Sequence, residues 1–81
     1  MPVRDARVTE IILLHTVIPT HVDFLRQQIR RDLGIELTFN AVRKRCDRLI
    51  RKGLLERYAP YTYVEKGLAE LYRFLESKGL A

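Results

Sequence analysis

Cysteine is almost missing from this chain: Cys46 is the single one in 81 residues. It can close no internal disulfide, and with only His15 and His21 beside it no spacing resembles a zinc site. Long apolar runs are missing as well. The longest, Ile11 to Leu14, has four residues, against the roughly 20 that a membrane span requires, and no charged-then-apolar leader opens the chain. No glycine-rich loop is present to cradle a phosphate, no Ser/His/Asp set assembles, and the acidic residues are scattered. The expectation is therefore a cytoplasmic, non-enzymatic protein with no metal, cofactor, membrane contact or small-molecule ligand. Size points the same way, because 81 residues make one domain with one core and leave little for a separate large cleft.

What the chain does have is positive charge in one place. From Thr38 to Arg57 it carries Arg43, Lys44, Arg45, Arg48, Arg51, Lys52 and Arg57 against Asp47 and Glu56, an excess equal to the formal +5 of the whole sequence. Charge concentrated on one segment is the electrostatic footprint of a surface that meets a polyanion, most often nucleic acid. Arginine outnumbers lysine eleven to four, which suits phosphate contact because the planar guanidinium grips two oxygens at once.

Periodicity predicts closely spaced elements without repeats or linkers. A first helix over 5–17 has Val8, Ile11, Ile12 and His15 on one side and Leu13, Leu14 and Val17 on the other. A helix apolar on both sides needs cover on both, which points to a homodimer. Ile18-Pro19 breaks it. Thr20 then caps a helix over 21–33, whose stripe of Val22, Leu25, Ile29 and Leu33 ends at Gly34. Thr38 caps a third helix over 38–52, with Val42, Cys46, Leu49 and Ile50 inside and Gly53 as its stop. Two strand-forming runs joined by Ala59-Pro60 predict a tight hairpin over 54–64. In a last helix over 66–78, Leu68, Leu71, Tyr72 and Leu75 are expected to cover the core. Phe74 and Leu80, with Leu13, Leu14 and Val17, remain as surplus apolar surface and as the expected dimer interface.

At about 100° per residue, Asn40, Lys44 and Arg51 lie opposite the stripe of the third helix, with Arg43, Asp47 and Arg48 on its flanks. Such a helix fits the major groove of B-form DNA. Asn40, Arg43 and Lys44 are the expected base readers, and Arg48, Arg51 and Arg57 the expected backbone contacts, with Thr38 completing the DNA-binding set. A basic face that is merely solvated is the alternative. Thr20 and His21, at the start of the second helix, and the Tyr61 hydroxyl are expected as further phosphate contacts. Tyr58, Tyr61 and Tyr63 are open to the other reading, packing of the hairpin against the helices. His15 reads as a hydrogen-bonded core histidine and Cys46 as a small core residue, with a redox-sensing thiol as the alternative.

Leu49-Ile50-Arg51-Lys52-Gly53-Leu54-Leu55-Glu56-Arg57, followed by Tyr61-Thr62-Tyr63-Val64-Glu65-Lys66-Gly67, resembles the recognition-helix exit and wing of winged helix-turn-helix transcription regulators. The multiple-antibiotic-resistance and PadR-like families carry similar runs, and the resemblance covers about Val22 to Leu71. It implies a mostly α fold with a small β-hairpin: a three-helix core, a short two-stranded wing and a C-terminal helix. It also implies a second helix over 21–33, a recognition helix over 38–52, a wing over 58–63, and sequence-specific binding of double-stranded DNA. The wing is shorter than the family's, since its tip is only Ala59-Pro60. A winged helix used as a protein-interaction module, or one that binds RNA, are the alternative functions.

Overall fold

The two glycines and the threonine that punctuate the helical sequence do in the structure what their chemistry allows. This computed structural model describes residues 3–80; residues 1, 2 and 81 of the predicted domain lie outside the described residues. The elements run α1 (Val3–His15), β1 (Thr20–His21), α2 (Val22–Leu33), α3 (Phe39–Arg51), β2 (Leu55–Ala59), β3 (Thr62–Glu65) and α4 (Ala69–Ser77). The chain is thus mostly helical, with a small antiparallel sheet in the order β1-β3-β2. Gly34 ends α2 at φ 66, where a Cβ would be strained, and its amide donates to the Arg30 carbonyl. Thr38 caps α3 through Oγ1, which accepts from the Ala41 amide at 3.0 Å. At the far end, the Leu54 amide donates to the Leu49 carbonyl and the Gly53 amide to Ile50, the paired bonds of a Schellman ending.

The start of α2 differs from expectation. Its N-cap is His21, whose Nδ1 accepts from the Asp23 amide at 3.0 Å, and Thr20 belongs to a strand instead. Thr20 pairs with Tyr63 and His21 with Thr62, so the segment between α1 and α2 adds a third strand to the hairpin. Thr20 is buried, with its hydroxyl directed at the His15 and Ile18 carbonyls at 2.7 and 2.8 Å. The hairpin turn also shifts: Ala59 pairs with Thr62, leaving Pro60-Tyr61 at the tip rather than Ala59-Pro60.

The core joins Val8 and Ile12 of α1, Val22, Leu25 and Ile29 of α2, Val42, Cys46 and Leu49 of α3, and Leu55 and Tyr63 of the sheet. Ile11 and Leu13 pack on its margin. Leu13 therefore belongs to the chain's own interior margin and not to the surplus surface predicted for it; Leu14, Val17, Phe74 and Leu80 of that set are exposed. A hydrogen bond from the Glu65 amide to the Thr16 carbonyl, 2.7 Å, ties the end of α1 to β3. The predicted cover from the last helix does not form as expected. Of the α4 residues only Ala69 is buried, and Leu71 stands half exposed beside Phe74. The helix is also shorter, because residues 66–68 turn at Gly67 (φ 94) before it begins. Polar links hold it: the Tyr72 hydroxyl donates to the Val17 carbonyl at 3.2 Å, and Arg73 donates to the Arg57 and Tyr58 carbonyls while covering the Tyr58 ring at 4.9 Å. Among the described residues no helix is long and apolar enough to cross a membrane.

Candidate nucleic-acid interface

With Val42, Cys46 and Leu49 turned fully inward, α3 has two flanks and one outward strip, and its charges divide among them. On the α1 flank, Arg45 Nη2 donates to Asp5 Oδ1 at 2.7 Å. That bond holds the Asp5 carboxyl below its ordinary pKa, against the opposing effect of its desolvation. On the sheet flank, Asp47 accepts from Arg43 Nη1 at 3.0 Å through Oδ2 and from the Tyr63 hydroxyl at 3.1 Å through Oδ1. Burial, then this bond, pushes the Tyr63 hydroxyl up to about 12. Tyr63 is therefore the packing residue of its two readings, buried and bonded inward.

Arg43 is also 3.4 Å through Nε from Asn40 Oδ1. Two of the three expected base readers are thus coupled, and Arg43 is oriented by partners on its own helix. The outward strip is different. Lys44, Arg48 and Arg51 are exposed, and among the described residues none forms an ion pair. Asp47, the one acid of α3, is engaged on the flank. Arg48 adds a weaker pull on Asp5 without pairing to it.

Around the start of α3 the expected phosphate contacts sort themselves. Thr38 keeps its oxygen on the helix cap. Thr20, expected among them, is not one: a buried side chain bonded to two carbonyls reaches no ligand. The α2 terminus is partly closed too, because the Val22 amide donates to the Tyr61 carbonyl at 2.9 Å and the Asp23 amide to His21 Nδ1. His21 and Tyr61 remain exposed. Arg57 is exposed on β2 opposite Tyr63, so the two side chains share the sheet face that looks at α3.

Sequence reasoning missed one grouping here. Tyr61 sits at φ 55, a left-handed conformation that costs a residue with a Cβ roughly 1–2 kcal/mol. Its ring stands edge-on to Phe39 at 5.0 Å and 74°, and to His21 at 6.4 Å and 67°. Between this aromatic group and the α3 flank lies a recess of about 380 Å³, lined by Phe39, Asn40, Arg43, Asp47, Arg57, Tyr61 and Tyr63. The one signal available in the sequence is Phe39, an aromatic directly after a helix cap.

Burial, then the neighbouring Asp47 carboxylate, pushes the Cys46 thiol up to about 12, which suppresses the thiolate a redox sensor needs. His15 contacts Phe24 edge-on at 5.6 Å, but its buried Nε2 has no hydrogen-bond partner among the described residues, contrary to the expectation of a hydrogen-bonded core histidine. No protein-family model, curated protein or solved structure matches the chain.

Proposed function

We propose that the chain is a winged helix-turn-helix protein that binds double-stranded DNA in a sequence-specific way, with α3 in the major groove and the β2–β3 hairpin as a short wing. It acts as a homodimer and regulates transcription by occupying its site. One observation carries this reading: Lys44, Arg48 and Arg51 form an exposed strip free of ion pairs among the described residues, while the other two arginines of α3 before Arg48 are engaged by Asp5 and Asp47. Three cations on one exposed helix face give the charge density that a polyanion's phosphates meet. Two copies would place their α3 helices in successive major grooves, about 34–36 Å apart. Leu14, Val17, Phe74 and Leu80 are the exposed apolar residues that support pairing of copies.

Fluorescence anisotropy with duplexes selected from random sequence tests the reading. Affinity should fall steeply with salt, and Lys44→Ala, Arg48→Ala and Arg51→Ala should each reduce the log–log salt slope by about 0.9 if they neutralise one phosphate. No duplex binding at low salt, or an unchanged slope in the triple variant, rejects it. The reading of a protein-interaction module is favoured by the exposed Ile18 and Phe24, near the end of α1, which the DNA reading leaves unused.

A further inference from the structure

The recess between α3 and the hairpin tip gathers three kinds of recognition chemistry: a cation, an amide and an aromatic ring. Arg57 brings a cation with no ion-pair partner among the described residues, on the face shared with Tyr63. Asn40 brings an amide whose oxygen already faces Arg43, leaving its nitrogen to donate. Tyr61 brings a ring that is 48% exposed. That ring is held in place: its carbonyl accepts from Val22 at the head of α2, and Phe39 and His21 brace it edge-on.

The position of Tyr61 is as informative as its ring. Glycine and asparagine are the residues at ease at positive φ in a tight turn, and a tyrosine at φ 55 strains the backbone there. The ring packs against Phe39 and His21 and still leaves about half of its surface open. A solvent-facing aromatic beside a free arginine does suit a nucleotide, whose base offers a π-face and whose phosphate offers charge. A base inside a continuous duplex has both faces covered by its neighbours, whereas an unpaired base leaves a face open to a protein ring. The volume of about 380 Å³ falls within the roughly 300–1,000 Å³ typical of ligand sites, room enough for one nucleotide.

We infer that this recess takes a single unpaired nucleotide adjoining the duplex on α3, with its base stacked on Tyr61, its phosphate on Arg57 and its base edge met by the Asn40 amide. The inference rests on the duplex-binding reading above, and it makes the protein a reader of the boundary between paired and unpaired DNA.

The test compares a blunt duplex with the same duplex bearing a short single-stranded overhang, by anisotropy with the full chain. The ratio of the two affinities is the readout. It should favour the overhang by at least about fivefold, persist in Tyr61→Phe, and fall to about one in Tyr61→Asn. Asparagine tolerates the left-handed turn, so that variant removes the ring while keeping the fold, which circular dichroism checks. Arg57→Ala should lower the ratio as well. A ratio of one in the unaltered protein, with the blunt duplex bound, overturns the inference and leaves duplex binding standing. A ratio that survives Tyr61→Asn overturns it too. Binding of neither DNA overturns the duplex reading itself. Free AMP separates a strand-borne nucleotide from a diffusible one: displacement of the overhang by AMP below millimolar concentration rejects the strand-borne source.

Discussion

Helices α3 and α4 have the same kind of sequence, an apolar stripe at helical spacing with charge around it, yet the molecule uses them in opposite ways. Val42, Cys46 and Leu49 of α3 are in the core, and both flanks of that helix are pinned, by Asp5 on α1 and by Tyr63 on β3. Helix α4 buries only Ala69 and is attached by hydrogen bonds from Tyr72 and Arg73 to backbone carbonyls. Amphipathic patterning thus marks which side of a helix turns inward but not how deeply it goes. Depth is set by the neighbours: α3 lies between α2 and the sheet, whereas α4 follows the sheet after α1, α2 and α3 have already covered the core.

The largest effect that sharpens this contrast is expected from Leu49→Ala. Removing a fully packed leucine should lower unfolding stability by about 2–5 kcal/mol in urea titrations; a loss below about 1 kcal/mol would mean that α3 is no better anchored than α4. Alkaline pH comes next. The Cys46 and Tyr63 groups rise from ordinary values of 9.0 and 10.0 to about 12 in the folded chain. The unfolded chain then releases these protons first, so their stabilisation is complete below about pH 9 and is lost as pH rises toward 12. The Cys46→Ala and Tyr63→Phe double variant should show a flatter decline of stability over that range, and an identical slope would refute the assignment. Tyr63→Phe alone, measured at neutral pH, should cost about 1 kcal/mol through the lost bond to a carboxylate that water can still partly reach. The smallest change belongs to α4: Leu71→Ala, half exposed, should shift stability by no more than about 0.5 kcal/mol, and a multi-kcal loss would show that α4 is a structural pillar after all.

How much of this was legible in the sequence depended on the range of the forces involved. Gly34, Thr38 and Gly53 act within a few residues, and the helix ends they control lie close to the predicted ones. β1 was not legible, since two residues carry no periodicity and Thr20 is equally a cap former. Its strand identity comes from β3, which is distant in sequence and adjacent in space. The outward placing of Lys44 and Arg51 follows from helical geometry alone, while Arg48, expected on a flank, joins their exposed strip. The engagement of Arg45 by Asp5 across forty residues does not, nor does the strain at Tyr61, because tyrosine gives no sign of the left-handed turn that glycine or asparagine would announce.

The seclusion of Cys46 has a practical consequence. As the one thiol of the chain, with no exposed surface and a strongly suppressed thiolate, it meets a maleimide or disulfide reagent only when α3 comes away from the interior. The rate at which a thiol reagent labels the native protein is therefore a clock for that opening. Slowing of the clock when DNA is added would report occupation of α3 with no dye attached to either molecule.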